Sequence, residues 1–271
     1  MLRSSFQKSF LFLTLISIFT LISCEQSNNP APAELMVDVL QPITVNWDQT
    51  NSIVCFGTSL TYGFEGFSFF DLIDPVLKIG STNPYNIPNP NETNKIAKSD
   101  AGYPGYLDSL LNIKVFNEGY IGAKASFAYS VLADSVLSKN PALVLLEFPA
   151  NDFLSGNDIP TVKAQMKTII DDILSHGSKI VLISFVDESI VNNPPLDHIL
   201  YDKRELAMEY FNMLKDLSVE YNLLFIKDCF KGVFGVAELM GDQFHPNREG
   251  YIKMAKNIKQ SLKRTFELNG M

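Results

Sequence analysis

The sequence predicts an α/β fold, a three-layer α/β/α sandwich with one parallel sheet between two layers of helices. Three observations lead there. Five short, almost wholly apolar runs rich in β-branched and aromatic residues recur along the chain. Segments with helical periodicity lie between them. About 240 residues follow the N-terminal leader with no second linker and no internal repeat, enough for one substantial core. Strands alternating with helices form parallel sheets joined by right-handed crossovers, covered on both faces.

The strand candidates are residues 52–56, 113–116, 142–148, 179–185 and 223–226. Several carry apolar side chains at successive positions rather than alternate ones, as a strand does when helices cover both of its faces. A helix is expected over 103–111. After Pro160, residues Val162, Met166, Ile169, Ile170, Ile173 and Leu174 share one helical face, with Pro160 suited to the start and Gly177 to the stop. Two more helices are expected over 203–221 and 248–266. In the second, Tyr251, Met254, Ala255, Ile258 and Leu262 form a stripe that reads as core.

The N-terminus has the character of an export signal. Arg3 and Lys8 precede an apolar run over 10–22, too short to span a bilayer, which takes about 20 residues. Leu21-Ile22-Ser23-Cys24 follows and resembles the lipobox of bacterial lipoproteins, with 1–23 as the signal peptide and Cys24 as the acylated N-terminus. That resemblance implies multiple acylation, which holds a protein on a membrane surface without threading it through. Residues 24–36 read as a polar, proline-containing tether and 37–271 as the catalytic-domain candidate, where 37–51 with Trp47 forms an N-terminal extension. The expected location is the bacterial cell envelope.

The net charge is −8, and loss of Arg3 and Lys8 with the leader makes it about −10. Such a surface repels a phosphate backbone, so nucleic acid is not an expected partner. Of three cysteines, Cys24 is assigned to the anchor; Cys55 and Cys229 sit in or after apolar strands and read as buried thiols, although an oxidising compartment leaves a disulfide open. No spacing suggests a metal site, and no cofactor is expected.

Four separated segments carry chemistry: Gly57-Thr58-Ser59-Leu60-Thr61, Asn117-Glu118-Gly119-Tyr120-Ile121-Gly122, Ala150-Asn151-Asp152 and Asp242-Gln243-Phe244-His245-Pro246-Asn247. In order, spacing and letters they resemble the consensus blocks of the SGNH (GDSL-type) esterase and lipase family. The resemblance covers nearly the whole domain. It implies a flavodoxin-like strand order 2-1-3-4-5, with the four blocks beyond the carboxyl ends of the strands, where sites of open α/β sheets form. It further implies Ser59, Asp242 and His245 as catalytic residues, and Ser59, Gly122 and Asn151 as the oxyanion hole. Thr58, Asn117 and Asp152 support them.

The chemistry explains the residue types. A serine hydroxyl is a weak nucleophile until a neighbouring base takes its proton. His245 is the credible base of three histidines, because Asp242 stands three residues before it and can hold the far ring nitrogen. His176 ends a helix beside Gly177, and His198 lies in a proline-rich loop. Taken alone, Asp242 reads as a cap of the following helix; Pro246-Asn247, Gly250-Tyr251 and Met254-Ala255 extend the likeness to the family's terminal block. Gly122 offers a backbone N–H at close approach, and Asn151 a side-chain amide. Asp152 is expected to brace the loop presenting Asn151, and Asn117 to bond the turn leading to Gly122.

Departures from the family pattern are Thr58 for the usual Asp, Pro149-Ala150 for a Gly-Gly pair, and Lys124 for a frequent Thr. None removes a reacting group. Gly57-Thr58-Ser59 is similar to a subtilisin-type nucleophile motif, but the chain order Ser59, Asp242, His245 differs from that class. An α/β-hydrolase elbow would need glycine where Thr61 stands. The resemblance implies hydrolysis of carboxylic esters or thioesters through an acyl-enzyme, with lysophospholipids, acyl thioesters, aryl esters or acylated glycans as substrate classes. A carbohydrate O-acetylesterase and an inactive SGNH-fold binding lipoprotein remain alternatives.

The main irregularity is an insertion at 64–102, which places about 38 residues between the nucleophile block and the helix at 103–111. Its first part (Phe64, Phe67, Phe69, Phe70) is aromatic and its second part rich in Asn and Pro. A long segment beside a nucleophile is often functional. Two readings stand: an acyl or aryl pocket wall with a mobile lid, or an extra core helix with a surface loop. The loop 187–200, with Pro194-Pro195, also reaches the expected active face.

Overall fold

Strand β1 (Ile53–Gly57) is central to the sheet, and its apolar run is explained by burial of all five residues. In the computed structural model, residues 52–66, 102–111, 113–192, 200 and 202–265 are described, all within the unit Leu40–Met271. The leader 1–23, Cys24, the tether 24–36, the extension 37–51, residues 67–101 of the insertion and 193–199 of the later loop lie outside them.

The elements after β1 are α1 (Ser59–Tyr62), α2 (Tyr103–Leu111), β2 (Val115–Gly119), α3 (Ala125–Ser135), β3 (Leu143–Glu147), α4 (Ala150–Leu154), α5 (Ile159–Ser175), β4 (Lys179–Ile183), α6 (Glu188–Asn192), α7 (Arg204–Glu220), β5 (Leu224–Ile226) and α8 (Arg248–Thr265). The described strands form one five-stranded sheet in the order β2-β1-β3-β4-β5, every pairing parallel. Helices α2 and α8 pack together as one layer, and α3, α5 and α7 form a contiguous second. The expected sandwich and strand order are both present.

Local signals act as read. Asp158 caps α5 by accepting from Thr161 N–H, Pro160 occupies its first turn, and Gly177 follows His176 at φ 93°. The buried residues of α5 are Val162, Met166, Ile169, Ile170 and Ile173. Two expectations are adjusted. Strand β2 begins at Val115 and runs on through Asn117 and Glu118, because its partner β1 reaches Gly57, level with Gly119. Helix α3 has no expectation in the sequence: its buried face is Ala125, Ala128, Leu132 and Ser135, a single large apolar residue among small ones, which makes a faint hydrophobic stripe. Cys55 and Cys229 are buried free thiols. No helix among the described residues is long and apolar enough to cross a membrane.

Candidate active site

The register of three neighbouring strands places the site. Gly57 at the end of β1 lies level with Gly119 of β2 on one side and Glu147 of β3 on the other. Ser59, Gly122 and Asn151 therefore emerge a few residues beyond a common line at the carboxyl edge.

Ser59 opens α1, a single helical turn. Thr58 caps it by accepting from Leu60 N–H, and Gly63 closes it in the left-handed region at φ 92°. The turn sits tight against β2, since a Cβ on Gly119 would lie 2.0 Å from Tyr62 N. Asn117 secures the same junction: its amide donates to Tyr62 C=O at 3.2 Å, and its oxygen accepts from Gly119 N–H at 2.9 Å. Asn117 thus bonds the last residue of β2 and the end of α1, a step before the turn at Gly122.

His245 meets Ser59 across the sheet edge, with Ser59 Oγ 2.9 Å from His245 Nε2. On its other side, His245 Nδ1 lies 2.9 Å from Asp242 Oδ2 and 3.1 Å from Oδ1. An ionised carboxylate only accepts, so Nδ1 carries the proton and Nε2 is left to accept from the Ser59 hydroxyl. Asp242 Oδ1 also accepts from Phe244 N–H at 2.7 Å and His245 N–H at 2.6 Å. Burial opposes ionisation of Asp242, but the hydrogen bonds and charge of His245, with the backbone bond from Phe244, hold its carboxyl down to about 2. The cap of α8 comes from Asn247, whose side-chain oxygen accepts from Gly250 N–H at 3.1 Å, and not from Asp242.

Aromatic edges fix the imidazole. Phe64 meets the His245 ring at 4.9 Å and 87°, and Phe244 meets it at 5.6 Å and 80°. Phe64 is itself tied through its carbonyl, which accepts from Tyr251 O–H at 2.6 Å. Close backbone approach completes the junction, because a Cβ on Gly66 would lie 2.7 Å from the Asp242 carboxyl.

The oxyanion candidates converge as well. Ala123 N–H bonds Tyr120 C=O at 3.2 Å, and Gly122, third in that turn, has φ 74°, where glycine is unstrained. Asn151 Nδ2 donates to Ala123 C=O at 2.9 Å, which joins the Asn151 amide to the Gly122 turn and leaves its second N–H to offer. Neither Ser59 N–H nor Gly122 N–H has an acceptor among the described residues. Asp152 is buried and bridges the two loops: Oδ2 accepts from Ala125 N–H and Oδ1 from the Asn157 amide, both at 2.9 Å. Burial raises its carboxyl, and these bonds counteract that. Lys124, at the start of α3, stands half-buried at the rim.

One neighbour of the nucleophile has no place in the sequence reading. Glu147, counted there within an apolar strand, is fully buried with its carboxylate against Thr58 and Thr61. Thr58, a departure from the family pattern, donates its hydroxyl to Glu147. The signal was available: a lone carboxylate in a run otherwise apolar from 142 to 148.

The family model for GDSL-like lipase/acylhydrolase matches residues 53–258. The chain belongs to this family. Membership makes it an ester hydrolase of the serine type. Among solved structures it resembles an acetylxylan esterase from Geobacillus stearothermophilus, with 18% identity and a TM-score of 0.55 over 80% of this chain and 95% of that one. It also resembles a psychrotrophic esterase from Pseudoalteromonas sp., with 17% identity and a TM-score of 0.53 over 79% and 97% of the two chains. A GDSL-like lipase from Bacteroides thetaiotaomicron gives 13% identity and a TM-score of 0.54 over 81% and 91%. At these identities the likeness shows the shared fold. No curated protein sequence matches significantly.

Proposed function

We propose that this GDSL-family hydrolase cleaves carboxylic esters or thioesters through an acyl-enzyme on Ser59. The observation that carries the reading is the continuous chain from Ser59 Oγ through His245 to the Asp242 carboxylate, with 2.9 Å at each step. As Ser59 Oγ attacks the carbonyl carbon, its proton passes to His245 Nε2, and Asp242 stabilises the imidazolium that forms. The carbonyl oxygen takes the negative charge and is met by Ser59 N–H, Gly122 N–H and the Asn151 amide. Collapse breaks the bond to the alcohol or thiol, which leaves with the proton from His245. Water then attacks the acyl-enzyme, giving its proton to the same nitrogen, and the acid departs as Ser59 regains its hydrogen.

The substrate classes are lysophospholipids, acyl thioesters, aryl esters and acylated glycans. An acetylxylan esterase among the structural neighbours favours O-acetylated carbohydrate as the second reading. The intact Ser59, Asp242, His245 and Asn151 constellation weighs against a binding lipoprotein that has lost the reaction. We extend the reading to an anchored enzyme, acylated at Cys24 behind its signal and held at an envelope membrane. Replacement of Cys24 by Ser should release it from the membrane fraction.

The test is hydrolysis of p-nitrophenyl esters from acetyl to palmitoyl by wild type and Ser59→Ala. Activity lost in the variant supports the mechanism, and the chain-length optimum separates a deacetylase from a lipase-like enzyme. A folded wild type that neither hydrolyses any ester nor reacts with a fluorophosphonate would sink the proposal.

A further inference from the structure

Glu147 lies behind the nucleophile, out of reach of substrate, yet grips the chain on both sides of Ser59. Its Oε2 accepts from Thr58 N–H at 2.8 Å, from the Thr58 hydroxyl at 2.8 Å and from the Thr61 hydroxyl at 3.0 Å; Oε1 also accepts from the Thr58 hydroxyl at 3.0 Å. Thr61, having donated its proton, is left to accept from Tyr103 O–H at 3.1 Å, at the start of α2. The glycine before Thr58 makes room for this: a Cβ on Gly57 would lie 2.6 Å from Glu147 Oε2 and 2.1 Å from Thr61 Oγ1.

We infer that Glu147 is a positioning residue for the esterase reaction, its carboxylate fixing the Thr58 and Thr61 flanks so that Ser59 N–H and Oγ keep their separate aims. The inference rests on the serine-esterase reading above. An amide of the same shape keeps an acceptor at the Oε2 position but loses the negative charge that strengthens all three bonds, and it puts a donor in place of the Oε1 acceptor facing the Thr58 hydroxyl. A misplacement of about 1 Å at a reacting group costs on the order of 100-fold in rate, so the grip has kinetic weight.

The surroundings make this carboxylate sensitive to pH. The titratable groups around it are Tyr103 with Cys55 beside it, Cys229 and Tyr251, each pushed up by burial and neutral near pH 7. Glu147 forms no ion pair among the described residues. Burial raises its carboxyl to about 7, against the pull of the bonds from Thr58 and Thr61. Below neutrality the protonated acid becomes a donor itself, and the bonds from Thr58 and Thr61 lose their charged acceptor. Loss of this grip then lowers the rate on the acid side.

The test uses the full chain with Glu147→Gln, and Thr61→Val as a second variant should the first fail to fold. Circular dichroism establishes folding. The readouts are kcat and KM for p-nitrophenyl acetate from about pH 5 to about pH 9, and the rate of Ser59 labelling by a fluorophosphonate. Glu147→Gln should lower kcat and labelling about 10- to 100-fold with KM changed less than about 2-fold. Its acid limb should lose about one unit of the slope of log kcat against pH. Thr61→Val should move both rates the same way by a smaller factor. A folded variant with wild-type kcat and an unchanged acid limb overturns the inference while leaving the esterase standing. Wild type that is folded but neither active nor labelled overturns the proposed function, and this inference with it.

Discussion

Asp242→Asn should slow the enzyme by about 10,000-fold at neutral pH while leaving it folded. The size follows from three donors among the described residues that share the carboxylate. Oδ1 takes the N–H groups of Phe244 and His245 at 2.7 and 2.6 Å, while Oδ2 takes His245 Nδ1 at 2.9 Å. An amide has one accepting oxygen. If that oxygen stays on the two backbone donors, which cannot move without opening the loop, the NH2 faces Nδ1. The imidazole then adopts the other tautomer, with its hydrogen on Nε2 pointing at Ser59 Oγ. A group that donates to the nucleophile cannot take its proton, and the four orders of magnitude correspond to about 5 kcal/mol of lost transition-state stabilisation. The assay is steady-state hydrolysis of p-nitrophenyl acetate, with fluorophosphonate labelling as a second reading of the same proton transfer. Thermal denaturation serves as the control for folding. A folded variant within about 10-fold of wild type in both rates would refute this account of the loop.

Three further outcomes follow from the geometry. Asn151→Ala removes one donor to the developing oxyanion and should cost about 100- to 1,000-fold in kcat with little change in KM, measured on the same ester. Gly66→Ala puts a Cβ 2.7 Å from the Asp242 carboxyl at a residue whose φ is 91°, so kcat should fall through displacement of Asp242, together with a lower melting temperature. The two carboxylates should give opposite slopes in denaturant titrations against pH. Glu147, raised from 4.5 to about 7 on folding, contributes stability fully present below about pH 4.5 and lost as pH rises through about 7, about 3 kcal/mol that Glu147→Gln should abolish. Asp242, lowered from 3.8 to about 2, contributes about 1 to 2 kcal/mol after allowance for solvent screening, present above about pH 4 and lost as pH falls through about 2.

What could be read ahead of the structure divides by how each feature is encoded. Strands buried on both faces announce themselves by composition, and β1, β3 and β4 lie within or a residue from their expected runs. Helix α5 carries a cap, a proline and a wide apolar face, so its limits were visible. Helix α3 hides because it packs through alanines, where close approach replaces bulk. The site was legible as four blocks whose order fits one sheet edge. The grip of Glu147 on Thr58 and Thr61 was not, since partners 86 to 89 residues apart in sequence meet only through the register of β1 with β3. The second bond of Asp152, to Ala125 at the start of α3, was hidden for the same reason.

The chain leaves the nucleophile turn at Gly63 and re-enters at Gly102, and those two glycines touch: a Cβ on Gly102 would lie 2.8 Å from Gly63 Cα and 2.9 Å from Thr61 C=O. An excursion whose ends already meet can lengthen or shorten with little penalty, since doubling a flexible loop costs only about 0.6 kcal/mol in closure entropy. Phe64 and Gly66 belong to the site, so any exchange independent of the sheet is confined to residues 67–101. A graft that replaces residues 67–101 with a short connector and keeps Phe64, Glu65 and Gly66 should leave the catalytic frame in place, with fluorophosphonate labelling of Ser59 as the measurement.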